Sequence, residues 1–163
     1  MQNPSDPPIK SVVFSGWTSH LSLIQIALED NNIPYPCLDG KMSRPQRTAA
    51  LGSFRDDPSI TVILVSLTAG GLGLNLTTVS HVYVMEPQFN PAAEAQAVDC
   101  IHRLGQKRPV TTTRFTTSGS FEEKMPELQR KKQNLADPSM SKEKLNRGEA
   151  VKRKLEELRS LFK

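Results

Sequence analysis

The sequence has few of the residues that would signal a secreted, membrane-spanning or metal-binding protein. Its 163 residues include two cysteines, Cys37 and Cys100, and neither belongs to a CxxC or a Cys/His pattern. We therefore expect reduced thiols in an intracellular protein and no metal site. No apolar run is long enough to cross a membrane, and no signal-peptide pattern follows Met1. We therefore expect no membrane partner. The length of the chain suits one domain with its own core.

Two nucleotide-binding fingerprints are also absent. The pattern GxxxxGK[ST] occurs nowhere in the chain, which excludes a self-sufficient P-loop ATPase. Gly71 and Gly73 begin a dinucleotide fingerprint, but Leu76 stands in place of its third glycine. A stand-alone enzyme for small nucleotides would also need a catalytic acid–base pair, and none is evident. The net charge of +4 permits an anionic partner without requiring one.

The sequence does contain alternating strand and helix patterns. Apolar and β-branched runs predict strands at residues 10–16, 35–40, 61–66, 81–86 and 110–117. Helical spacing of apolar residues predicts helices at residues 19–32, 43–54, 90–105 and 120–136. Strands separated by helices favour an α/β sandwich around a largely parallel sheet.

Local signals predict where three of these helices begin or end. Ser43 opens a capping box with a glutamine three residues later. Asn90 precedes a proline as an N-cap, and Gly105 closes the same helix. Ser120 opens a second capping box, and Pro126 then falls inside that helix. A proline in a helix interior removes a backbone donor, so we expect a kinked or shortened helix there.

The two ends of the chain differ from the middle. Residues 1–9 are expected to be a flexible N-terminus, and residues 10–136 form the main domain. Residues 137–148 are polar and contain a proline and a glycine, which predicts a linker. Residues 149–163 carry an apolar stripe at helical spacing. That stripe predicts a brace helix, packed either on its own domain or against a partner domain.

Four ordered segments together are far more specific than any single motif. They are "LDGKMSRPQR", "ILVSLTAGGLGLNLT", "EPQFNPAAEAQAVDCIHRLGQKRPV" and "SFEEKMPELQRKK". Over residues 9–136, and more loosely in the last helix, the chain resembles the second motor lobe of SWI/SNF-type DNA-dependent ATPases in helicase superfamily two. It looks most like fungal members of the helicase-like transcription factor branch. The resemblance implies a RecA-like three-layer sandwich with a mainly parallel sheet and a C-terminal helical extension.

The resemblance also implies partners and cofactors. In that family a first lobe carries the P-loop and the acidic Mg²⁺-binding motif, and ATP lies in the cleft between the lobes. ATP and Mg²⁺ would therefore be held mainly by a first lobe outside this chain. The implied partners are that lobe and double-stranded DNA, with nucleosomes as a candidate target. The family further implies a nuclear protein, and an isolated lobe is expected to be a monomer.

The site residues that the resemblance implies form two groups. Hydroxyl and guanidinium contacts to DNA phosphates fall to Ser43, Arg47, Ser66 and Thr68. The residues on the nucleotide side are Gly71, Gly73, Gln96 and Gln106. The segment from Phe14 to Thr18, which contains Trp17, matches a family motif near the DNA track. Plainer roles remain open, since Ser43 can simply cap its helix and Arg47 can be a surface charge.

The last family motif is where this sequence departs from the pattern. Two arginines three residues apart typically reach the ATP γ-phosphate; here Arg103 matches the second, and Cys100 occupies the place of the first. A thiol that is neutral near pH 7 cannot replace a guanidinium charge. Either hydrolysis is slowed, or Arg103 or a neighbouring lysine compensates, or the protein binds ATP without useful turnover. The alternative to a motor lobe is thus a weakened lobe that binds DNA or a partner.

Overall fold

The computed structural model describes residues 8–70, 74–101, 105–106 and 108–136. Two compact units divide the chain, Met1–Thr116 and Thr117–Lys163. The predicted linker and brace helix, at residues 137–148 and 149–163, lie outside the described residues. Gly71, Gly73 and Arg103 also lie outside them.

The first unit contains a five-stranded sheet in which every pair of neighbouring strands is parallel. Its strands are β1 (Lys10–Ser15), β2 (Cys37–Leu38), β3 (Val62–Ser66), β4 (Val79–Val84) and β5 (Thr111–Arg114). They lie in the order β2-β3-β1-β4-β5. The central strands β1 and β3 are almost entirely buried, as expected for a parallel sheet covered on both faces.

The helices of the first unit connect successive strands. They are α1 (Thr18–Asp30), α2 (Arg44–Asp56), α3 (Leu67–Gly70) and α4 (Pro91–Asp99). Two predicted helix starts are confirmed. The capping box of Ser43 and Gln46 begins α2, and the Asn90 side chain accepts a hydrogen bond from the backbone N–H of Ala92 at the start of α4.

The core lies on both faces of the sheet. Alternate residues of β1 point to opposite sides, so Val12 and Phe14 belong to one apolar cluster and Val13 to the other. The cluster that contains Val13 includes Leu21 of α1. The larger cluster includes Phe54 of α2 and the end of α4. The three-layer α/β arrangement predicted from the alternating patterns is therefore present.

The end of α4 differs from the prediction. The prediction ended one helix at Gly105, but α4 ends at Asp99, where the backbone N–H groups of Cys100 and Ile101 both donate to Val98 and tighten the last turn. Gly105 has φ of 109°, a left-handed conformation that glycine adopts readily. The loop ahead of β5 therefore uses the glycine, although α4 itself ends earlier.

The second unit begins with a 3₁₀ turn, Phe121–Lys124, followed directly by α5 (Met125–Ala136). The Ser120 hydroxyl accepts a hydrogen bond from the backbone N–H of Glu122. The predicted capping box is therefore only half formed, because the Glu123 carboxylate accepts from the backbone N–H of Gly119 and not from that of Ser120. Of the two outcomes expected at Pro126, the structure has the shortened helix, because α5 begins at Met125 rather than near Ser120. Pro126 is the second residue of α5, where a missing N–H leaves no intrahelical bond unmade.

Candidate functional site

The strand order brings three predicted DNA-contacting segments to one edge of the sheet. Ser43 follows β2, Ser66 is the last residue of β3, and Trp17 follows β1. These three strands are neighbours and run parallel, so their carboxyl ends meet at the same edge. In open parallel sheets, ligands bind outside the carboxyl ends of the strands. We call this the carboxyl edge.

The segment between β2 and α2 is held by its own side chains. Asp39 accepts hydrogen bonds from the backbone N–H groups of Lys41 and Met42, at 2.8 and 3.0 Å. Arg47 donates from Nη2 to the Asp39 carbonyl at 2.9 Å. Its Nε is buried and has no hydrogen-bond partner among the described residues. Ser43 is exposed, and its hydroxyl donates to the Gln46 side chain at 2.9 Å. Both residues thus have structural roles beside their predicted phosphate contacts.

The described part of the segment around the end of β3 exposes fewer DNA-contacting side chains than the resemblance implies. The Ser66 side chain is fully buried, so its hydroxyl does not face solvent in this structure. Thr68 lies in the short helix α3, and the described part of the structure does not extend to its side chain. The predicted phosphate contacts of these two residues remain predictions.

A buried carboxylate joins the segments that follow β1 and β4. Glu86, which is 8% exposed, accepts hydrogen bonds from the Ser15 hydroxyl at 3.1 and 3.0 Å and from the backbone N–H of Gly16. Gln88 Nε2 donates to the same carboxylate at 3.0 Å. The Nδ1 atom of His20 lies 3.3 Å from it. Several donors around one carboxylate satisfy a charge that burial would otherwise make costly.

The same carboxylate compensates for a missing helix cap. Trp17 is the N-cap of α1, and its side chain makes no capping bond. The first turn of α1 also contains no acidic residue. Glu86 supplies the negative charge that the positive end of a helix favours, an effect of about 0.3–2 kcal/mol that increases with burial. A residue of the segment after β4 therefore stabilises the start of α1.

The helix predicted to face the nucleotide has one exposed and one buried site residue. Gln96 is exposed on α4. Cys100 is 2% exposed, and its thiol donates to the Gln96 carbonyl at 3.2 Å. The thiol belongs to the larger apolar cluster with Ala97 and Ile101. The described residues therefore do not form an ATP site by themselves, since they offer one exposed amide and no phosphate cradle.

Gln106 lies at the opposite edge of the sheet, where the strands begin. Its Nε2 donates to the Val79 carbonyl at 2.6 Å, and its Oε1 accepts from the backbone N–H of Arg108 at 3.0 Å. Both ends of the amide are thus engaged inside the chain. A nucleotide contact by Gln106 remains a prediction.

Glu86 and His20 were not among the predicted site residues, and Ser15 was included only as part of the segment from Phe14 to Thr18. A signal was present, because Ser15 lies next to the end of one predicted strand and Glu86 ends another. Polar residues at the carboxyl ends of neighbouring parallel strands lie close together. The sequence did not reveal that these two strands are neighbours, so this pairing could not be inferred from it.

Within the part of the chain that the structure describes, no group of three or more histidine, cysteine or acidic residues is placed to hold a metal ion. Among the described helices, none combines the length and the apolar character needed to cross a bilayer.

Comparisons with known proteins agree with this geometry. Over 153 residues the chain is 43% identical to DNA repair protein RAD5A of Arabidopsis thaliana, covering 94% of this chain and 14% of that protein. Over 158 residues it is 40% identical to DNA repair protein rad8 of Schizosaccharomyces pombe, covering 97% and 14%. Over 159 residues it is 42% identical to the helicase-like transcription factor of Homo sapiens, covering 96% and 16%. The chain thus spans about one seventh of the length of these relatives.

A solved structure supports the same assignment. The C-terminal part of the Fun30 ATPase domain is similar with a TM-score of 0.72 and 32% identity, over 74% of this chain and 39% of that one. The predicted RecA-like sandwich is therefore confirmed. Residues 5–105 match the family model described as helicase conserved C-terminal domain. Because that match covers more than half of the chain, the chain belongs to the family of helicase conserved C-terminal domains.

Proposed function

We propose that the chain is the second motor lobe of an ATP-dependent translocase on double-stranded DNA. It closes on ATP and Mg²⁺ that a first lobe holds, and it couples hydrolysis to DNA movement. The observation that carries this proposal is the meeting of three DNA-type segments at the carboxyl edge of β2, β3 and β1. The names of the relatives favour work on DNA in repair, and hence a nuclear location with chromatin as a candidate substrate.

The DNA contacts of this proposal rest on the start of α2. That helix has 13 residues, and the positive end of a helix favours a phosphate group. Ser43 is exposed at that end, and Arg47 is held one turn further on. A hydroxyl, backbone N–H groups and a guanidinium together position a phosphate without reading the base sequence.

The nucleotide side of the proposal rests on Arg103, which follows α4. Its guanidinium would stabilise the negative charge that develops on the γ-phosphate, an effect worth about 10³–10⁵ in rate in other phosphoryl-transfer systems. Gln96, exposed on α4, faces solvent and is available to a nucleotide. The P-loop and the Mg²⁺ ligands would come from the first lobe, which also supplies the site of the attacking water.

A second candidate function follows from Cys100. Its thiol is buried against Ala97 and Ile101 at the position where the family has an arginine. The lobe therefore lacks one of two cationic groups at the γ-phosphate, and the neutral side chain present there points into the core. On this alternative the lobe binds DNA or a partner while hydrolysis is weak.

The test is ATP hydrolysis by a polypeptide that carries both lobes, with and without duplex DNA. If the chain is a motor lobe, DNA stimulates turnover and Arg103→Ala abolishes it. If the protein binds DNA but DNA stimulates no turnover, the weakened-lobe alternative replaces the motor. Thermal unfolding of each variant checks that lost turnover is not lost folding.

A matched pair of arginines on α2 tests the DNA-binding edge. Arg47 lies near the start of α2, and Arg55 lies near its end, at the opposite edge of the sheet. Arg47→Ala should weaken duplex binding and reduce the slope of log affinity against log salt by about 0.9, the value for one lost phosphate contact. Arg55→Ala should leave both unchanged. Equal effects of the two substitutions would contradict DNA binding at the carboxyl edge.

A further inference from the structure

The segment from Ser15 to His20 is attached to the sheet through Glu86. β1 and β4 pair in parallel, with Phe14 opposite Val84, so the residues just beyond both strands are neighbours. The Glu86 carboxylate accepts hydrogen bonds from the Ser15 hydroxyl and the Gly16 backbone N–H. Each of these donors is within two residues of Trp17, so the carboxylate fixes the backbone immediately before that side chain.

A second hydrogen bond extends this hold to Trp17 itself. The Ser15 hydroxyl oxygen accepts from the backbone N–H of Trp17 at 3.1 Å. The Trp17 carbonyl then accepts from the backbone N–H groups of His20 and Leu21, at 3.1 and 3.2 Å, and so begins α1. Both backbone groups of Trp17 are therefore fixed, one through the serine and one by the helix.

The Gly16 backbone lies close to the side chains of Gln88 and Glu86, so a larger residue at this position would require those side chains to shift. A Cβ atom on Gly16 would lie 3.0 Å from Gln88 Oε1 and 3.3 Å from Glu86 Oε1. The glycine thus lets the backbone approach the carboxylate closely enough for its N–H to donate. Gly16 and Glu86 together fix the backbone just before Trp17.

The Trp17 side chain, which follows this fixed backbone, is exposed. Trp17 is 68% exposed, the largest exposed fraction among the large apolar residues of the described chain. An indole combines a large apolar face with a single N–H donor, which suits packing against deoxyribose and donation to a phosphate oxygen. It lies at the carboxyl edge, next in strand order to the segments that contain Ser66 and Ser43.

We infer that Glu86 is a positioning residue for DNA binding: it fixes the segment after β1 so that Trp17 contacts the sugar–phosphate backbone of duplex DNA. This inference rests on the proposed function, because it needs DNA at the carboxyl edge. Glu86 is itself buried and does not touch DNA. Its contribution to affinity passes through the orientation of Trp17.

The sequence provides a direct probe, since Trp17 is the one tryptophan in the chain. We expect a short blunt DNA duplex to change the tryptophan emission of the 163-residue chain and to shield it from iodide quenching. In Glu86→Gln the iodide quenching of the free chain should also change, because the loop is no longer fixed. Unchanged quenching in Glu86→Gln would overturn the positioning role.

Affinity for a fluorescently labelled duplex, measured by anisotropy, tests the route of the effect. Glu86→Gln and Trp17→Ala should each weaken binding about tenfold, as expected for the loss of one strong contact. The double variant should bind no more weakly than Trp17→Ala, because both changes remove the same contact. Multiplied effects in the double variant would show that Glu86 acts by another route. Glu86→Asp, which keeps the charge, should stay close to the natural affinity.

Matched controls separate this result from general destabilisation. Glu94→Gln removes another buried carboxylate, one that pairs with Arg114, and should leave DNA affinity unchanged. Leu23→Ala shortens another exposed apolar side chain, 65% exposed on α1, and should also bind normally.

If Glu86→Gln does not fold, Ser15→Ala decides, since it removes the link to Trp17 and leaves the carboxylate in place. If the natural chain binds no duplex, the proposed function and this inference both fail, whereas duplex binding that Glu86→Gln leaves unchanged overturns this inference alone.

Discussion

Two helix ends in this lobe are each stabilised by a buried charge from another part of the sheet, and the two differ in what they expose. At the carboxyl edge, Glu86 lies at the positive end of α1. At the opposite, amino edge, Lys10 of β1 lies at the negative end of α2. Its Nζ donates to the carbonyls of Phe54, Arg55 and Asp57, the last two at 3.5 and 2.8 Å. Each charge opposes the helix dipole at the end it meets.

The two edges differ in which side chains stay exposed once these hydrogen bonds are made. The Lys10 ammonium also lies 4.9 Å from the centre of the Phe54 ring, so its interactions are with groups of its own chain. A cavity of about 470 Å³ lies beside it at the amino edge, lined in part by Arg55, Gln106 and Arg108. At the carboxyl edge the bonds to Glu86 leave Trp17 exposed. The two buried charges therefore differ in the segment that they fix: Glu86 fixes one that presents an exposed side chain, and Lys10 fixes the end of α2.

The largest expected effect on stability is at a third helix end, that of α4, whose last turn contains no basic residue. Cys100→Arg should lower the free energy of unfolding by about 3–5 kcal/mol, because a guanidinium would enter an apolar site without a partner. Urea unfolding measures this, with Cys100→Ala as the smaller-effect control. A Cys100→Arg chain as stable as the natural one would show that the arginine reaches solvent at the end of α4, where a cation is favoured.

Glu86→Gln should have the next largest effect on stability. It replaces one acceptor oxygen by an amide N–H₂ group that faces donors, so Ser15 or Gly16 loses its partner. Hydrogen bonds to a charged group contribute about 1.5–3 kcal/mol, and the free energy of unfolding should fall by that amount. Chemical unfolding of the two chains measures it. A loss well under 1 kcal/mol would mean that Glu86 stabilises the carboxyl edge no more than Lys10 stabilises the amino edge.

Lys10→Met should cost less at neutral pH, about 1–2 kcal/mol, because water can replace the lysine at part of the α2 end. Burial lowers the pKa of Lys10 below its usual 10.5, although Asp57 and Asp56 oppose that shift. The folded chain then loses this proton at lower pH than the unfolded chain. Between the two pKa values the unfolded chain holds more protons, so this residue makes stability rise with pH.

The measurement for Lys10 is the difference in free energy of unfolding between natural and Lys10→Met chains across the alkaline range. That difference should grow with pH up to about 10.5. A difference that does not change with pH would mean that the ammonium is as well solvated in the folded chain as in the unfolded one.

The smallest effect is expected at a cap that the local sequence supplies. Asn90→Ala should lower the free energy of unfolding by about 1 kcal/mol, since it removes the acceptor for the Ala92 N–H at the start of α4. Asn90→Asp keeps an acceptor and should stay near the natural stability. A cost for Asn90→Ala as large as that of Glu86→Gln would mean that local and long-range caps are equivalent here.

Much of the fold was predictable because its signals are local. The strand patterns, the capping box at Ser43 and the N-cap at Asn90 each lie within a few residues of the element they specify. Pro126 shows the limit of such signals. The proline was identified, but its place at the start of α5 depends on a preceding 3₁₀ turn that the pattern does not distinguish from α-helix.

The site was predictable only in part. The motifs predicted DNA contacts for Ser43, Arg47 and the segment of Trp17. These segments lie side by side in the strand order, and the contacts themselves stay predictions. The loss of an arginine at Cys100 was visible in the sequence, but the burial of that thiol was not. Whether the Cys100 side chain is buried depends on which side of the helix end faces the core. That orientation follows from where α4 ends, and α4 ends at Asp99, earlier than predicted.

The sequence by itself determined the periodic elements, the local caps, the departure at Cys100 and the family to which the chain belongs. Tertiary structure alone decided which charges are buried and which helix ends they stabilise. Glu86 and Ser15 are 71 positions apart, and Lys10 and Phe54 are 44 apart. Such pairs arise from the order of strands in the sheet, which local periodicity does not encode, because neighbours in a parallel sheet are separated in sequence by whole crossover connections.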